Sequence, residues 1–525
     1  MNEQRVSKVS YLFIAAAFLF LLFFFLRAGM ERVLTVIPDD AAYYFKIAEN
    51  ASAGEGLTFD RINRTNGFQP LWLAALVPVY RAYHGTPETM CRIVLVLQLV
   101  ALALAALLLN AALARYFSRR TVLVSLLLFL SFVFVPAANG MESAVLVLFL
   151  ALAFYAGSRA DAFGRRDPKR ELVLGILLGL VVLSRLDMIF LPLVVVAASF
   201  ASALRERVER RARLVRTLCV AAGAAAVVIP YLVYNETSFG AVMPISGLLK
   251  SSFPRFSHPA YALSTLGKRG WAGLLLAAGY AAYSLVRFRW TRSDTDGRRY
   301  YRSAMTVMAC AILLHFIHAL FFMKWAVFSW HYVPYVFFGA VVICEPIERF
   351  FSPASLKRMR AAYWIAVAAI VAVGCLAVFR GLSRPIDRAW CPAAYAAARW
   401  ARENTDTDAV FAMKDAGTFG YFSERRVINL DGVVNNLGYQ AALKERNLRG
   451  YLAIKGVGFV VQHAFWDRPD ITKGEYDSLA VSYRSHRYEC DSDSILLPKA
   501  GEVYRSRPYF DGPYETVFVI WKIRT

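Results

Sequence analysis

"VSYLFIAAAFLFLLFFFLRAGMERVLTVIPDDAAYYFKIAEN", residues 9–50, joins a long apolar run to two adjacent aspartates, Asp39 and Asp40. The run at 9–30 is long enough to cross a hydrocarbon layer roughly 30 Å thick. It lacks the short apolar core and small-residue cleavage site of a secretion signal, which predicts a retained anchor. Two adjacent carboxylates directly beyond such a run raise the question of what they do there.

Further runs of this kind lie at 91–114, 121–137, 141–157, 171–184, 188–204, 214–234, 271–288, 302–323, 331–348 and 361–380. Together they predict an all-α polytopic membrane bundle of about eleven transmembrane helices. The composition agrees: 58% of 525 residues are hydrophobic and 14% aromatic, and the mean hydropathy is +0.43. An ordinary soluble enzyme is excluded.

The net charge of +22 raises the question of nucleic acid, and the position of the cations answers it. They gather in alternate loops: "LARYFSRR" (113–120), "RADAFGRRDPKR" (159–170), "RERVERRARLVR" (205–216), "RFRWTRSDTDGRRYYR" (287–302) and "RFFSPASLKRMR" (349–360). The positive-inside rule makes these loops cytoplasmic, together with the N-terminus at Arg5 and Lys8. The basic excess is then a topology signal, and no nucleic-acid partner is expected. With eleven spans the C-terminus falls outside.

This orientation divides the chain into a membrane domain, 1–380, and a soluble extracytoplasmic α/β domain, 381–525. Residues 31–90 form a first outer loop, whose "PDDAAYYFKIAENASAGEGLTF" and "NRTNGFQPLWLAALVPVYRAYHG" read as short amphipathic helices on the membrane surface. Calling 69–83 a span would put "RYFSRR" outside, so it is rejected. In the tail, "AAYAAARWAREN" reads as a helix, and "AVFAM", "RRVINL", "VGFVVQH" and "TVFVIWKI" as short strands. Of seven cysteines, Cys391 and Cys490 lie in this outer tail, where a disulfide between them is expected. The cytoplasmic loops are short and hold no phosphate-binding glycine motif, so the chemistry belongs to the outer face.

Topology brings Asp39, Asp40, Asn66, Gln69, Glu142, Arg185, Asp187, Lys250, His258, Lys324, His331 and Tyr332 to that face. Local roles compete with a site. One aspartate can start the helix that Gly54 ends, Glu142 can serve near a helix start, and Arg185 can pair with Asp187. His315 and His318, one helical turn apart, read as packing or mutually hydrogen-bonded groups rather than a metal site. Acidic groups beside cationic ones suit transfer from a phosphate-linked donor. A carboxylate accepts the proton of an attacking hydroxyl, and cations stabilise the departing phosphate. One carboxylate base with a cationic leaving-group site describes an inverting glycosyl transfer, unlike the paired carboxylates of glycosidases.

The order "PDDAAYYFKIAEN…GEGLTFDRINRTNGFQPLW" (38–72), "NGMES" (139–143), "SRLD" (184–187), "FGAVMPISGLLKS" (239–251) and "SWHYVPY" (329–335) resembles bacterial membrane glycosyltransferases of the GT-C fold. Relatives in that superfamily include protein O-mannosyltransferases, aminoarabinose transferases and arabinofuranosyltransferases. The resemblance extends to "DAGTFGYFSERRVINLDGVVNN" (415–436). It implies a polyprenyl-phosphate sugar as donor in the bacterial inner membrane, with a glycan, lipid or protein as acceptor. It makes the first-loop acid the catalytic base, assigned to Asp39 with Asp40 in support; the two could exchange places. Glu142 is counted with them among the catalytic residues, as a further candidate for the base. Arg185, Lys250, His331 and Tyr332 are expected to bind the donor phosphate, and Asn66, Gln69 and Trp72 the sugar or acceptor. The resemblance is nearest to a bacterial branch whose first outer loop carries an acidic pair and then Thr-Asn-Gly-aromatic-His-Pro-Leu-Trp; Gln69 stands where that branch usually has His. A divalent metal ion would find oxygen ligands in Asp39, Asp40 and Glu142. The rival readings are a flippase or transporter of lipid-linked sugars and a non-catalytic envelope scaffold.

Overall fold

The computed structural model describes residues 3–160, 167–205, 209–257, 263–290, 297–325, 327–350, 353–465, 476–482, 492–511 and 514–523. Each of the eleven apolar runs lies in helix. Seven helical stretches among the described residues are long and apolar enough to cross a membrane: Glu3–Arg27 (α1), Pro87–Leu113, Arg119–Ala137, Leu186–Arg205, Arg210–Phe239, Arg299–Phe322 and Ala361–Leu382. The remaining four are helical but shorter or more polar. Pro168–Ser184 has 17 residues, and Val333–Val342 has 10. The latter rises only about 15 Å at 1.5 Å per residue. Gly267–Trp290 is long but opens with Lys268 and Arg269.

The closest packing in the bundle joins Pro168–Ser184 to Arg210–Phe239. A Cβ added at Gly175 would lie 2.2 Å from the Val220 carbonyl oxygen, and one at Gly223 would lie 2.4 Å from that of Leu172. The backbones touch because small residues remove the side chains between them. Gly175→Ala is therefore expected to destabilise the folded protein by about 1–3 kcal/mol, the usual cost of overpacking. Gly279→Ala, where nothing lies within 4 Å, is the control. Thermal aggregation in detergent checks both, and equal midpoints would contradict the close packing.

The first loop contains Met30–Leu34 (α2), Asp39–Ser52 (α3) and Pro70–Ala82 (α4). Ala53 and the left-handed Gly54, φ 86°, end α3 as the sequence suggests. The expectation that α3 lies on the membrane surface is corrected. Its side chains from Ala41 to Ala48 are buried, Lys46 included. It is covered on one side by α4 and on the other by the short helix Gly417–Phe422 from the tail. A Cβ at Gly417 would come within 2.1 Å of the Asp39 carbonyl oxygen, and one at Gly420 within 2.4 Å of the Phe59 ring. Tyr80 of α4 meets Tyr421 hydroxyl to hydroxyl at 2.9 Å.

After helix Pro353–Leu382 the chain builds a mixed sheet. Helix Trp390–Asn404 precedes β1 (Val410–Met413), β2 (Arg426–Asn429), β3 (Phe459–Phe465), the separate hairpin β4–β5 (Tyr476–Ser482, Ser492–Pro498), β6 (Glu502–Arg505), β7 (Tyr509–Asp511) and β8 (Tyr514–Lys522). The order is β2-β1-β3-β8-β6 with β7 also on β8; the first three run parallel, and β8 is antiparallel to its neighbours. The four strands read from sequence are β1, β2, β3 and β8. One apolar cluster runs from the bundle through α3 into this layer, joining Phe45 and Leu76 to Tyr421 and Phe411. Cys391 is buried in helix Trp390–Asn404; its expected partner Cys490, like His258, lies outside the described residues.

Candidate active site

The two aspartates that open α3 face different neighbours. Pro38 precedes the helix, and no side chain caps it, so neither aspartate plays the local capping role. Asp39 instead reaches across to the tail. Its two carboxylate oxygens accept the backbone N–H groups of Gly417 at 2.8 Å and Thr418 at 2.7 Å, satisfying donors at the start of Gly417–Phe422. One turn on, the Tyr43 hydroxyl accepts the Ala416 N–H and Asn429 Nδ2 and donates to Asp431 at 3.2 Å. Asp39 and Tyr43 thus form a docking stripe. Asp40 and Tyr44, one position along the same helix, face a cavity.

Burial pushes the Asp39 carboxyl up to about 7; the charge of Asp40 adds to the rise, while the two N–H groups oppose it. Asp40 is also raised by burial, against the pull of the Lys250 ammonium. Among the described residues nothing hydrogen-bonds the Asp40 carboxylate.

The cavity has a volume of about 70 Å³. The first loop contributes Asp40, Tyr43, Tyr44, Gly67, Phe68 and Gln69; the bundle contributes Met141, Glu142, Arg185, Ser246, Lys250, Trp330 and His331; the tail closes it with Val433 and Val434. The closure is tight, because a Cβ at Gly67 would overlap the Val433 carbonyl oxygen at 1.8 Å.

Most of the charge in this cavity is already paired. Arg185 holds Asp187 through Nε and a terminal nitrogen, at 2.8 and 3.0 Å, and its other terminal nitrogen bonds Glu142 at 3.3 Å and the Trp330 carbonyl at 2.6 Å. Four of the five guanidinium donors are thereby engaged. Glu142, buried to 2% exposure, also accepts the Tyr44 hydroxyl at 3.1 Å. Gln69 fixes the far side: its N–H donates to Tyr44, and its side-chain oxygen accepts the Leu186 N–H. His315 backs the network, 3.2 Å from Asp187 and 2.6 Å from Tyr335. His318 instead packs between Phe190 and Phe322.

His331 Nδ1 accepts the Phe328 N–H at 3.1 Å. A ring nitrogen that accepts carries no proton, so His331 is neutral with its hydrogen on Nε2. That corrects its expected role as a phosphate-binding cation. Lys250 is different: its ammonium lies 5.6 Å from the Trp325 ring, and no described carboxylate pairs with it.

Other expected site residues lie outside the cavity. Asn66 joins Asn235 and the Ile245 N–H, tying the first loop to the bundle. Trp72 donates to the Gly140 carbonyl and supports the loop that carries Glu142. Tyr332 lies against Gly267 and Gly270. The Lys324 N–H donates to the Lys250 carbonyl. No cluster of three metal-ligating side chains occurs among the described residues. Asp39 and Glu142 accept hydrogen bonds through their oxygens. Tyr44, Ser246, Trp330 and the two valines are site residues that the sequence reading missed. Only Tyr44 left a signal, standing one helical turn after Asp40.

The chain is similar to several known proteins. The family model described as dolichyl-phosphate-mannose-protein mannosyltransferase matches residues 85–234. A domain of unknown function (DUF8728) matches residues 388–503. ArnT from Cupriavidus metallidurans, solved with undecaprenyl phosphate, superposes with a TM-score of 0.57 at 12% identity, covering 97% of each chain. The archaeal oligosaccharyltransferase AglB from Archaeoglobus fulgidus, solved with an inhibitory peptide and a dolichol-phosphate, gives 0.51 at 13% identity over 81% of this chain. This chain spans 65% of the length of that one. The apo form of the Archaeoglobus fulgidus oligosaccharyltransferase gives 0.52 at 13% identity, covering 86% of this chain and 69% of that one. No curated protein matches the chain.

Proposed function

From the fold that this chain shares with the GT-C membrane glycosyltransferases, we propose that it moves a sugar from a polyprenyl monophosphate to an acceptor hydroxyl. One observation carries the reading: among the described residues, the Asp40 carboxylate has no hydrogen bond and the Lys250 ammonium no ion pair, in a cavity whose other charges are bonded to one another. The base assigned to Asp39 moves to Asp40, because Asp39 spends both oxygens on the tail. Asp40 takes the hydroxyl proton as the acceptor oxygen bonds to the anomeric carbon. The bond from that carbon to the phosphate oxygen breaks, and the phosphate leaves with both bonding electrons. A single displacement inverts the anomeric centre.

Lys250 faces the charge that grows on the departing phosphate. His331, through Nε2–H, and Ser246 supply neutral donors to the same group. Arg185, with most donors engaged, positions Glu142 and the Trp330 backbone rather than holding phosphate alone. Glu142, Tyr44 and Gln69 form the polar wall against which the sugar hydroxyls lie. Among the described residues one cavity ammonium lacks an ion pair, which matches the one negative charge of a monophosphate diester and falls short of a diphosphate. The acceptor is a glycan, lipid or protein hydroxyl, taken up at the outer face of a bacterial inner membrane, with the N-terminus and the basic loops cytoplasmic.

The purified protein, given a polyprenyl-monophosphate sugar and envelope extract as acceptor source, is expected to release polyprenyl phosphate. A full set of donors left intact would overturn the reading. The rate should also show an acid limb. Asp40 acts only when ionised, and burial raises its pKa above 3.8. Transfer is therefore expected to fall by about tenfold per pH unit once the pH drops below that raised value. A profile flat down to the ordinary aspartate range would remove Asp40 as the base.

A further inference from the structure

Residues 250–271, "KSSFPRFSHPAYALSTLGKRGW", and 321–332, "FFMKWAVFSWHY", hold Lys250, Arg255, Lys268, Arg269 and Lys324 and not one acidic residue. Their described residues lie together at 250–257 and 321–324. The Ser252 N–H donates to the Phe322 carbonyl at 2.8 Å, and the Lys324 N–H to that of Lys250 at 2.9 Å. Phe253 and Phe256 pack edge-on and face-on against Phe322, with centroids 5.5 and 5.3 Å apart. These rings are nevertheless 70% and 76% exposed, with Arg255 between them, and Lys268 and Arg269 stand exposed beside Trp271.

Two features of this ribbon run against expectation. Large aromatic side chains facing water forgo about 1.5–3 kcal/mol each. Its cations also sit at the opposite end of helices Gly267–Trp290 and Arg299–Phe322 from the basic loop 287–302, against the rule that concentrates cations on one side. One environment explains both. In the headgroup layer the rings are half immersed in acyl chain, and the cations meet phosphate. An acidic protein partner would explain the cations but not aromatic rings interleaved with them where two bundle helices end.

We propose that the ribbon formed by residues 250–257, 267–271 and 321–325 is a binding surface for anionic phospholipid headgroups, with Arg255, Lys268 and Arg269 as the phosphate-holding groups. This rests on the bundle's crossing a membrane and not on sugar transfer. Since the ribbon begins at Lys250, the anionic layer it gathers borders the cavity.

The test compares retention of phosphatidylglycerol and phosphatidylcholine by the full-length protein, drawn from mixed vesicles and read by native mass spectrometry. The wild type should favour phosphatidylglycerol. The variant Arg255→Gln/Lys268→Gln/Arg269→Gln should lose about fivefold of that preference per cation removed. Arg255→Lys should keep it while Arg255→Gln alone loses about fivefold, a pair that stays informative if the triple variant misfolds. Equal retention of both lipids by the wild type or an unchanged preference in the triple variant would each overturn the proposal.

Discussion

Replacing Asp40 by asparagine is expected to lower the transfer rate by about 10²–10⁴-fold, the range for a lost general base, with folding and donor binding kept. The substitution preserves shape and removes the one cavity carboxylate that has no hydrogen bond among the described residues. Asp39→Asn tests the other half of the assignment. An amide has one accepting oxygen where the carboxylate uses two, so one of the Gly417 and Thr418 N–H groups loses its acceptor. That costs about 1–3 kcal/mol and should show as a lower melting temperature with much of the rate retained. Measuring both variants for turnover and for thermal unfolding separates the roles. If Asp39→Asn is inactive and fully stable while Asp40→Asn turns over normally, the assignment is reversed.

Lys250→Gln is expected to cost about 10²–10³-fold in turnover, the scale of a lost donor to developing charge. Glutamine keeps a hydrogen-bond donor but cannot neutralise the phosphate, whose negative charge grows as the bond to sugar breaks. The loss should therefore appear more in turnover than in donor affinity. Arg185→Gln offers the contrast. It leaves Glu142 buried with no cation and strips Asp187 of its guanidinium partner, so instability should dominate its phenotype, as in broken buried pairs that cost about 3–5 kcal/mol. A Lys250→Gln enzyme with normal turnover would show that the leaving group departs elsewhere.

What sequence could reveal was what lies close along the chain. The apolar runs became helices, and "AVFAM" and "TVFVIWKI" became strands, because periodicity and side-chain shape act over a few residues. The pairing of Arg185 with Asp187 was open to reading for the same reason. The division of labour between Asp39 and Asp40 was not, because the backbone groups that claim Asp39 arrive at Gly417 and Thr418. His331 was read as a cation since nothing in "SWHYVPY" announces that Phe328 offers its N–H to the ring. The burial of α3 was missed because its cover, Gly417–Phe422, comes from the far end of the chain. Tyr44 was within reach: on a helix, the residue four after Asp40 must share its face.

The contact of Gly67 with Val433 carries a consequence for the timing of biosynthesis. The bundle segments that carry Lys250, Arg185 and Glu142 are made well before the ribosome reaches the segment that roofs the cavity. Until that segment has folded against α3, Asp39 has no N–H groups to cap and the cavity stands open on one side to water. A nascent or truncated chain ending before residue 434 is thus an unroofed bundle, and the closed cavity forms only in the last fifth of translation.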